Sequence, residues 1–301
     1  MFFEAEPGSA GENASLRTAR GLKLRLSTGM SGTVLSSFGD PTTFAAALND
    51  IGDVALVAPG GGPFCAGMTR IVLPRMSLLA AEERQARVAF VTPSDGRAAI
   101  MLPCSLGEKP LWNGAPVGDG EMVTICAGAR PHWYTRGATR WMAVCLTTDA
   151  LAARGRILAG PHFCIPPELH RWRPPTRALR TLVDLCRAVV LLTEAHPAMP
   201  VDAEAARGVE QELLQMLVEC LSAGRPEPEP PARRREAASL ARLEDLLHAP
   251  AGRRATATAL FAALGASEPA LRACCRAHLG VGPRLYVRLR RARIEGHNGA
   301  T

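Results

Sequence analysis

The segment GASEPALRACCRAHLGVGPRLYVRLRRAR, residues 265–293, contains helical patterns separated by short breaks. Gly265 can adopt the left-handed conformation that ends a preceding helix, and Ser267 can cap the helix that follows. Gly280 closes that helix and Pro283 opens the next, because first-turn N–H groups have no helical partner. This spacing is typical of a helix-turn-helix, whose second helix can enter a DNA major groove.

The helix after Ser267 has an apolar side and a polar side. Residues spaced at i, i+3 and i+4 share one face of a helix, so the apolar set is expected to face the core. The pattern alone leaves two functions open for the polar side, a solvated surface or a nucleic-acid contact. The apolar side carries Leu271, Cys274 and Cys275, and the polar side carries Glu268, Pro269, Arg272 and Arg276.

Positive charge is concentrated in the last quarter of the chain. Residues 232–301 contain 13 Arg and 5 acidic residues, a net charge of +8. Because the whole chain of 301 residues carries +7, the remainder carries −1. Such asymmetry indicates a polyanionic partner for that quarter alone.

The bulk composition predicts a soluble cytoplasmic protein. The nine cysteines are odd in number and include no C-x-x-C pair, so we expect reduced thiols rather than a disulfide scaffold. No apolar run reaches the roughly 18 residues needed to cross a bilayer, so no membrane partner is expected. The start, MFFEAEPGSAGENAS, lacks the basic and apolar regions of a secretory signal.

The hydrophobic periodicity changes along the chain, which predicts an α+β protein. Residues up to about 150 form short apolar or alternating runs, typical of an antiparallel β-barrel or sandwich. Asn113-Gly114 is a favoured two-residue hairpin turn, and Asp40 or Thr42 can cap one short helix. Two amphipathic helices are predicted within 175–223. The predicted domains are 1–223, a Pro-rich linker at 224–235, and an all-α helix-turn-helix domain at 236–301.

Residues 260–293 resemble the first helix-turn-helix of AraC/XylS-type transcription regulators. The shared elements are an apolar first helix, G-x-S-x-x-x-L through the turn, and L-G-x-x-P-x-x-Y-x-x-x-R into a long linker helix. The N-terminal portion resembles one branch of that family at GPF (62–64), WNG (112–114) and the Pro-rich stretch near residue 173. The matching residues of the C-terminal motif are Leu271, Leu279, Gly280, Pro283, Tyr286 and Leu289.

The resemblance implies a sequence-specific regulator that binds double-stranded DNA. It implies a cupin-like N-terminal domain that senses a small molecule or a partner and mediates homodimerisation. No cofactor and no enzymatic activity are expected. Carried over residue by residue, Arg272, Pro269 and Ala273 should face bases, and only Arg272 has base-reading chemistry. Phosphate contacts are expected for Arg276, Arg288, Arg290 and Arg291.

The chain departs from the family pattern in its C-terminal domain. Pro269 stands where the family usually has Arg, and Gly282 stands where it has Ser. The chain ends in IEGHNGAT inside the linker helix, before a second helix-turn-helix. We therefore expect a truncated domain with a single helix-turn-helix and weakened DNA binding. Dimerisation would partly offset this weakening, because a dimer carries two such units.

Two other functions compete with this reading. The first is a ligand-binding or protein-interaction module with impaired DNA binding, from a truncated gene. The second is a metal-dependent barrel enzyme, but there is no H-x-H, H-E-x-x-H or G-x-S-x-G, so no metal site and no enzyme are expected. Several aromatic residues could line a pocket or fill the core. The metal candidates are His132, His162 and His170, and the aromatic candidates are Trp112, His132, Trp133, Tyr134 and Trp141.

Overall fold

The computed structural model describes residues 15–17, 23–25, 33–60, 62–104, 108–196 and 202–298. The fold is α+β, with strands concentrated in the N-terminal half and helices in the C-terminal half. The strands are β1 (Ser15–Arg17), β2 (Lys23–Arg25), β3 (Thr33–Phe38), β4 (Asp53–Val57), β5 (Ala66–Val72), β6 (Met76–Glu83), β7 (Arg87–Thr92), β8 (Arg97–Pro103), β9 (Leu111–Trp112), β10 (Ala115–Pro116), β11 (Met122–Cys126), β12 (His132–Thr135), β13 (Thr139–Thr147), β14 (Leu169–Arg173) and β15 (Arg225–Glu227). The helices are α1 (Pro41–Ala47), α2 (Thr148–Ala159), α3 (Thr176–Ala195), α4 (Ala203–Ala223), α5 (Pro231–His248), α6 (Pro250–Arg254), α7 (Ala257–Ala263), α8 (Glu268–Leu279) and α9 (Pro283–Asn298).

Two antiparallel sheets form the N-terminal half. The larger has the order β15-β14-β11-β8-β13-β6-β5-β3, and the smaller has the order β10-β9-β12-β7-β4. A separate two-stranded sheet pairs β1 with β2. The two main sheets face each other as a sandwich, and they do not close into a barrel within the described residues. Of the two architectures predicted from the sequence, the structure therefore has the sandwich.

Alternation along the strands explains how the sheets are covered. Because successive side chains of a strand point to opposite faces, neighbouring residues of one strand enter different cores. Leu79 packs between the two sheets, whereas Leu78 packs against α3 and α4 on the far side of the larger sheet. Val88 lies on the outer face of the smaller sheet and packs against the C-terminal helices. The molecule therefore has four layers: helices α2–α4, the larger sheet, the smaller sheet and helices α5–α9.

Most predicted elements are present, with some additions. The two amphipathic helices correspond to α3 and α4, and the helix at residue 41 is capped by Asp40, whose Oδ2 accepts from the Thr43 N–H at 2.9 Å. Asn113 and Gly114 have φ of 46° and 72°, as a two-residue hairpin turn requires. Helix α2 and strands β14 and β15 were not predicted. Among the described residues, no helix combines the length and hydrophobicity that crossing a bilayer requires.

The segment predicted as a linker is largely ordered structure. Arg225–Glu227 pairs with β14 at the edge of the larger sheet, so this part of the segment belongs to the sandwich. Helix α5 begins at Pro231, within the predicted linker, and not at residue 236. The chain therefore passes from the sheet into the C-terminal helices over 228–230 alone.

Candidate nucleic-acid interface

Helices α7 and α8 form a helix pair with a tight turn between them. Helix α7 is capped by Thr256, whose Oγ1 accepts from the Ala259 N–H at 3.1 Å. Gly265 follows with a φ of +67°, the left-handed conformation that ends a helix. Ser267 Oγ then accepts from the Ala270 N–H at 3.4 Å, which is the cap predicted from the sequence. Gly280 closes α8 with a φ of +69°.

One side of α8 belongs to the core of the C-terminal helices. Leu271, Cys275 and Leu279 are buried and pack with leucines of α5. Cys274 is also buried, and its Sγ donates to the Glu236 carbonyl oxygen at 3.8 Å. Burial raises the pKa of both Cys274 and Cys275 to about 12, so the adjacent thiols stay protonated and unreactive at neutral pH.

The opposite side of α8 is exposed. Pro269, Arg272, Ala273 and Arg276 all lie on this surface, which we call the outward face. Arg272 keeps 52% of its side chain exposed, and its Nη2 donates to Glu268 Oε1 at 3.1 Å, one turn earlier. The structure therefore brings together the three residues predicted to face bases, with Arg276 one turn further along.

The arginines of α9 are divided between the surface and the interior. Arg288 is exposed, as a phosphate contact requires. Arg290 is only 1% exposed, and its guanidinium binds the buried Glu244 carboxylate at 2.7 Å. Arg291 donates to the carbonyl oxygens of Gly252, in α6, and of Ala255, which follows α6, and thereby links α9 to the end of that helix. Phosphate contacts by Arg290 and Arg291 do not fit these positions, and both residues act instead within the helical block.

The pair Glu244–Arg290 joins α5 to α9 at the centre of the block. Burial acts to raise the pKa of Glu244, but the Arg290 charge and its hydrogen bonds outweigh it, so the pKa lies below its usual value. Tyr286 completes the cluster by donating its hydroxyl to Glu244 Oε1. The sequence holds a signal for this cluster, because Glu244 falls in the apolar stripe of α5 and Arg290 lies four residues after Tyr286.

The C-terminal end of α8 is seated on the smaller sheet. A Cβ atom added to Gly280 would lie 2.1 Å from Tyr134 Cζ, so only glycine permits this approach. A Cβ atom added to Gly114 would lie 2.9 Å from the His278 ring. His278 Nε2 in turn contacts Glu236 Oε2 at 2.9 Å. The helix that presents the outward face is therefore held at its other end by two close contacts with the sheet.

Two further contacts join the block to the sandwich. Arg130 donates two hydrogen bonds to the Asp245 carboxylate, one of them at 2.7 Å from Nη1 to Oδ2. His132 is fully buried, with its ring 4.8 Å from that of Phe90 and 6.1 Å from that of Tyr286, measured between centroids. Neither ring nitrogen of His132 has a hydrogen-bond partner among the described residues. These contacts were not predicted from the sequence.

The remaining sequence candidates lie in the interior or apart from one another. Trp112 stacks on Trp133 with 4.8 Å between ring centroids, and Trp133 meets Trp141 edge-on at 5.1 Å, so these residues fill the core. Beneath them, Arg87 and Glu83 form a fully buried ion pair at 2.6 Å. Among the described residues, no group of three or more His, Cys, Asp or Glu side chains could hold a metal ion.

Comparison with known proteins identifies structural likenesses only. No protein-family model matches the chain, and neither does any curated protein. Its structure is similar to that of the AraC-like transcriptional activator CuxR, with a TM-score of 0.47, 14% identity, and 88% of this chain and 95% of that chain covered. It is also similar to ToxT from Vibrio cholerae O395, with a TM-score of 0.29, 8% identity, and 74% and 82% covered.

Proposed function

We propose that the chain is a sequence-specific DNA-binding transcription regulator of AraC/XylS type. The observation that carries the proposal is the outward face of α8, where Pro269, Arg272, Ala273 and Arg276 are exposed on the second helix of a capped helix-turn-helix. The face lies in the part of the chain, residues 232–301, whose net charge is +8. A basic helix with an arginine at its centre is suited to the major groove of DNA.

In this proposal the exposed residues divide the recognition between them. Arg272 would donate two hydrogen bonds to guanine O6 and N7, a contact worth about 1–3 kcal/mol of discrimination. Pro269 and Ala273 have only apolar surface to offer, which suits the methyl group of thymine. Arg276 and Arg288 would contact phosphates, which fixes the position of the protein on the duplex and makes binding depend on salt.

The N-terminal sandwich would supply sensing and dimerisation in the cytoplasm. A cavity of about 320 Å³ lies between the larger sheet and α3, and its lining includes Ala80, Met142 and Val190 together with the charged residues Glu82, Arg140 and Arg187. Its size is at the lower end of the range for small-molecule sites, so it is large enough for a small effector. A homodimer would carry two copies of α8, and its footprint would show two half-sites about one helical turn apart, whereas a monomer protects one.

The test is a DNA-binding titration with duplexes selected from a random library by the wild-type chain. We expect a sequence preference together with a steep fall in affinity as salt increases. Arg272→Ala should weaken binding about 5- to 100-fold and relax the preference at one base pair. The matched control is Arg156→Ala, which removes one exposed arginine from α2 on the opposite side of the molecule.

Two outcomes contradict the proposal. An Arg272→Ala footprint identical to the wild-type footprint would remove the base-reading role of α8. A chain that binds no duplex, or all duplexes equally, would favour the alternative of a ligand-binding or protein-interaction module.

A further inference from the structure

Two arginines share one carboxylate at the start of α8. Glu268 Oε1 accepts from Arg272 Nη2 at 3.1 Å and lies 3.5 Å from Nε of Arg284, in the first turn of α9. The side chains of Glu268, Arg272 and Arg284 remain 42%, 52% and 63% exposed. The shared carboxylate therefore lies on the surface, in contact with the one residue of the outward face that is expected to read bases.

Neither folding stability nor DNA affinity explains this arrangement well. An exposed ion pair contributes little to the stability of a protein. A carboxylate on a DNA-binding surface repels phosphates and weakens nonspecific binding. The positive end of a helix favours an acidic residue such as Glu268, but that preference does not bring Arg272 and Arg284 to the same oxygen. The convergence instead restricts the directions in which the two guanidinium groups can point.

Orientation matters for Arg272 because its guanidinium is a rigid fork. The group has five N–H donors in one plane, and Glu268 accepts from one of them on Nη2. The remaining donors stay free to form the paired contact with guanine O6 and N7. The neighbouring side chains of Pro269 and Ala273 have no hydrogen-bonding groups, so the selectivity that comes from hydrogen bonds depends on how Arg272 is held.

We propose that Glu268 is a positioning residue of the DNA-reading surface. Its carboxylate holds Arg272 in the direction that reads a base, and Arg284 holds the carboxylate from the side of α9. This inference rests on the proposed function. It assigns a role in DNA recognition to a negatively charged residue, which should lower the affinity for any duplex and raise the selectivity among duplexes.

The experiment compares Glu268→Ala with the wild-type chain on two probes, the duplex selected by the wild-type chain and a scrambled duplex of the same composition. Affinity for the scrambled duplex should rise about 2- to 3-fold, because one negative charge is removed from the surface. The ratio of the two affinities should fall about 10-fold, because Arg272 is no longer oriented. The base pair at which preference relaxes should be the one that Arg272→Ala relaxes.

A second variant separates charge from orientation. Glu268→Gln keeps an acceptor oxygen at the same reach, so the scrambled duplex should bind as tightly as with Glu268→Ala, while the affinity ratio stays within about 3-fold of wild type. The control Asp95→Ala removes one exposed carboxylate from a sheet turn and should leave both affinities unchanged. Thermal unfolding of each variant confirms that it is folded.

The outcomes distinguish this inference from the function on which it rests. If both affinities rise by the same factor in Glu268→Ala, or if the Gln and Ala variants lose selectivity equally, Glu268 acts through charge alone and the inference is wrong. In either case the wild-type preference, and with it the proposed function, would stand. A wild-type chain that selects no sequence would overturn both.

Discussion

Gly280 is the residue at which α8 ends and contact with the sheet begins. Its φ of +69° would strain any other residue, and its lack of a side chain makes room for Tyr134. Gly265, in the turn before α8, has a nearly identical φ of +67° but has open space where a Cβ atom would lie. Alanine substitutions at the two glycines therefore distinguish the energy of backbone strain, present at both, from the energy of steric overlap, present only at Gly280.

Gly280→Ala is expected to reduce the free energy of unfolding by about 2–4 kcal/mol, the sum of backbone strain and a forced displacement of Tyr134. Gly265→Ala should reduce it by about 1 kcal/mol, because only the strain applies there. Urea unfolding followed by circular dichroism measures both. The double variant Gly280→Ala/Tyr134→Ala tests the cause, since removing the ring should relieve the steric part. Equal losses at the two glycines would contradict the close approach of the helix to the sheet.

Helix α9 shows how position on an element decides the function of chemically identical residues. Arg288 and Arg290 lie two residues apart, so they point to different sides of the helix. Arg288 is exposed, whereas Arg290 is 1% exposed and bound to Glu244. Under the proposed function, the same residue type would therefore contribute to DNA affinity at position 288, whereas at position 290 it pairs with a buried carboxylate.

Arg290→Ala is expected to destabilise the protein by about 3–5 kcal/mol, because it leaves the Glu244 carboxylate buried without its partner. Arg288→Ala should change the free energy of unfolding by no more than about 0.5 kcal/mol while weakening DNA binding and lowering its salt dependence. Thermal unfolding and the salt titration measure the two effects on the same preparations. A stable Arg290→Ala protein, or an Arg288→Ala protein that melts early, would be inconsistent with these roles.

Elements with a strong hydrophobic period could be predicted, whereas elements fixed by distant partners could not. Helices α3 and α4 repeat apolar residues at helical spacing, and the structure has both within the predicted range 175–223. Strand β14 was missed because its LHRWR sequence is mostly polar and only Trp172 is fully buried, so its pairing with β11 defines it. Helix α2 was missed because a glycine inside a segment argues against a helix there. The structure explains Gly155 by its close contact with the Phe163 ring, which leaves no room for a Cβ atom.

For the candidate site, features within one helix could be predicted from the sequence, whereas contacts between helices and with the sheet could not. The cap at Ser267 and the exposed position of Arg272 follow from the spacing within one helix. The burial of Arg290 depends on Glu244, which is 46 residues away in the chain. One signal that helices cover the outer face of the smaller sheet was present, because the VAFV run of β7, residues 88–91, is apolar without alternation and is buried on both faces. A continuous apolar strand indicates that something covers each side of its sheet.

At the scale of the whole molecule, the four layers bury one titratable ring between the sandwich and the helical block. Burial lowers the pKa of His132 from 6.5 to about 4. The ring is surrounded by Glu244 from α5, His278 from α8, Arg290 from α9 and Arg130 from the sandwich. The docked arrangement therefore favours the neutral ring, and its stability depends on pH.

The sign of this dependence follows from the lowered pKa. The stabilisation is fully present above pH 6.5, where the ring is neutral whether buried or exposed, and it is lost as pH falls from 6.5 towards about 4. At about pH 5 the expected loss is on the order of 2 kcal/mol relative to about pH 7.5. The contribution of Glu244 to stability is lost in a more acid range. Because the pKa of its carboxyl group is lowered in the folded protein, that contribution falls only as pH drops below 4.5, the usual pKa of a glutamate.

Urea unfolding of wild type and His132→Phe at about pH 7.5 and about pH 5 measures this contribution. The phenylalanine ring fills the same space and does not titrate, so the variant should lose less stability between the two values. Identical pH profiles for the two proteins would show that His132 does not set the dependence.

Because α8 contacts the smaller sheet closely at Gly280, a rotation of the helix about that contact would move its opposite end. Arg272 lies eight residues from Gly280, about 12 Å along the helix axis. A tilt of about 5° there would move Arg272 by about 1 Å, more than the roughly 0.5 Å within which a binding group must be held. A displacement of the Tyr134 ring, which lies on the outer face of the smaller sheet, would therefore cause a larger displacement at the N-terminal end of α8, where the proposed function places the duplex.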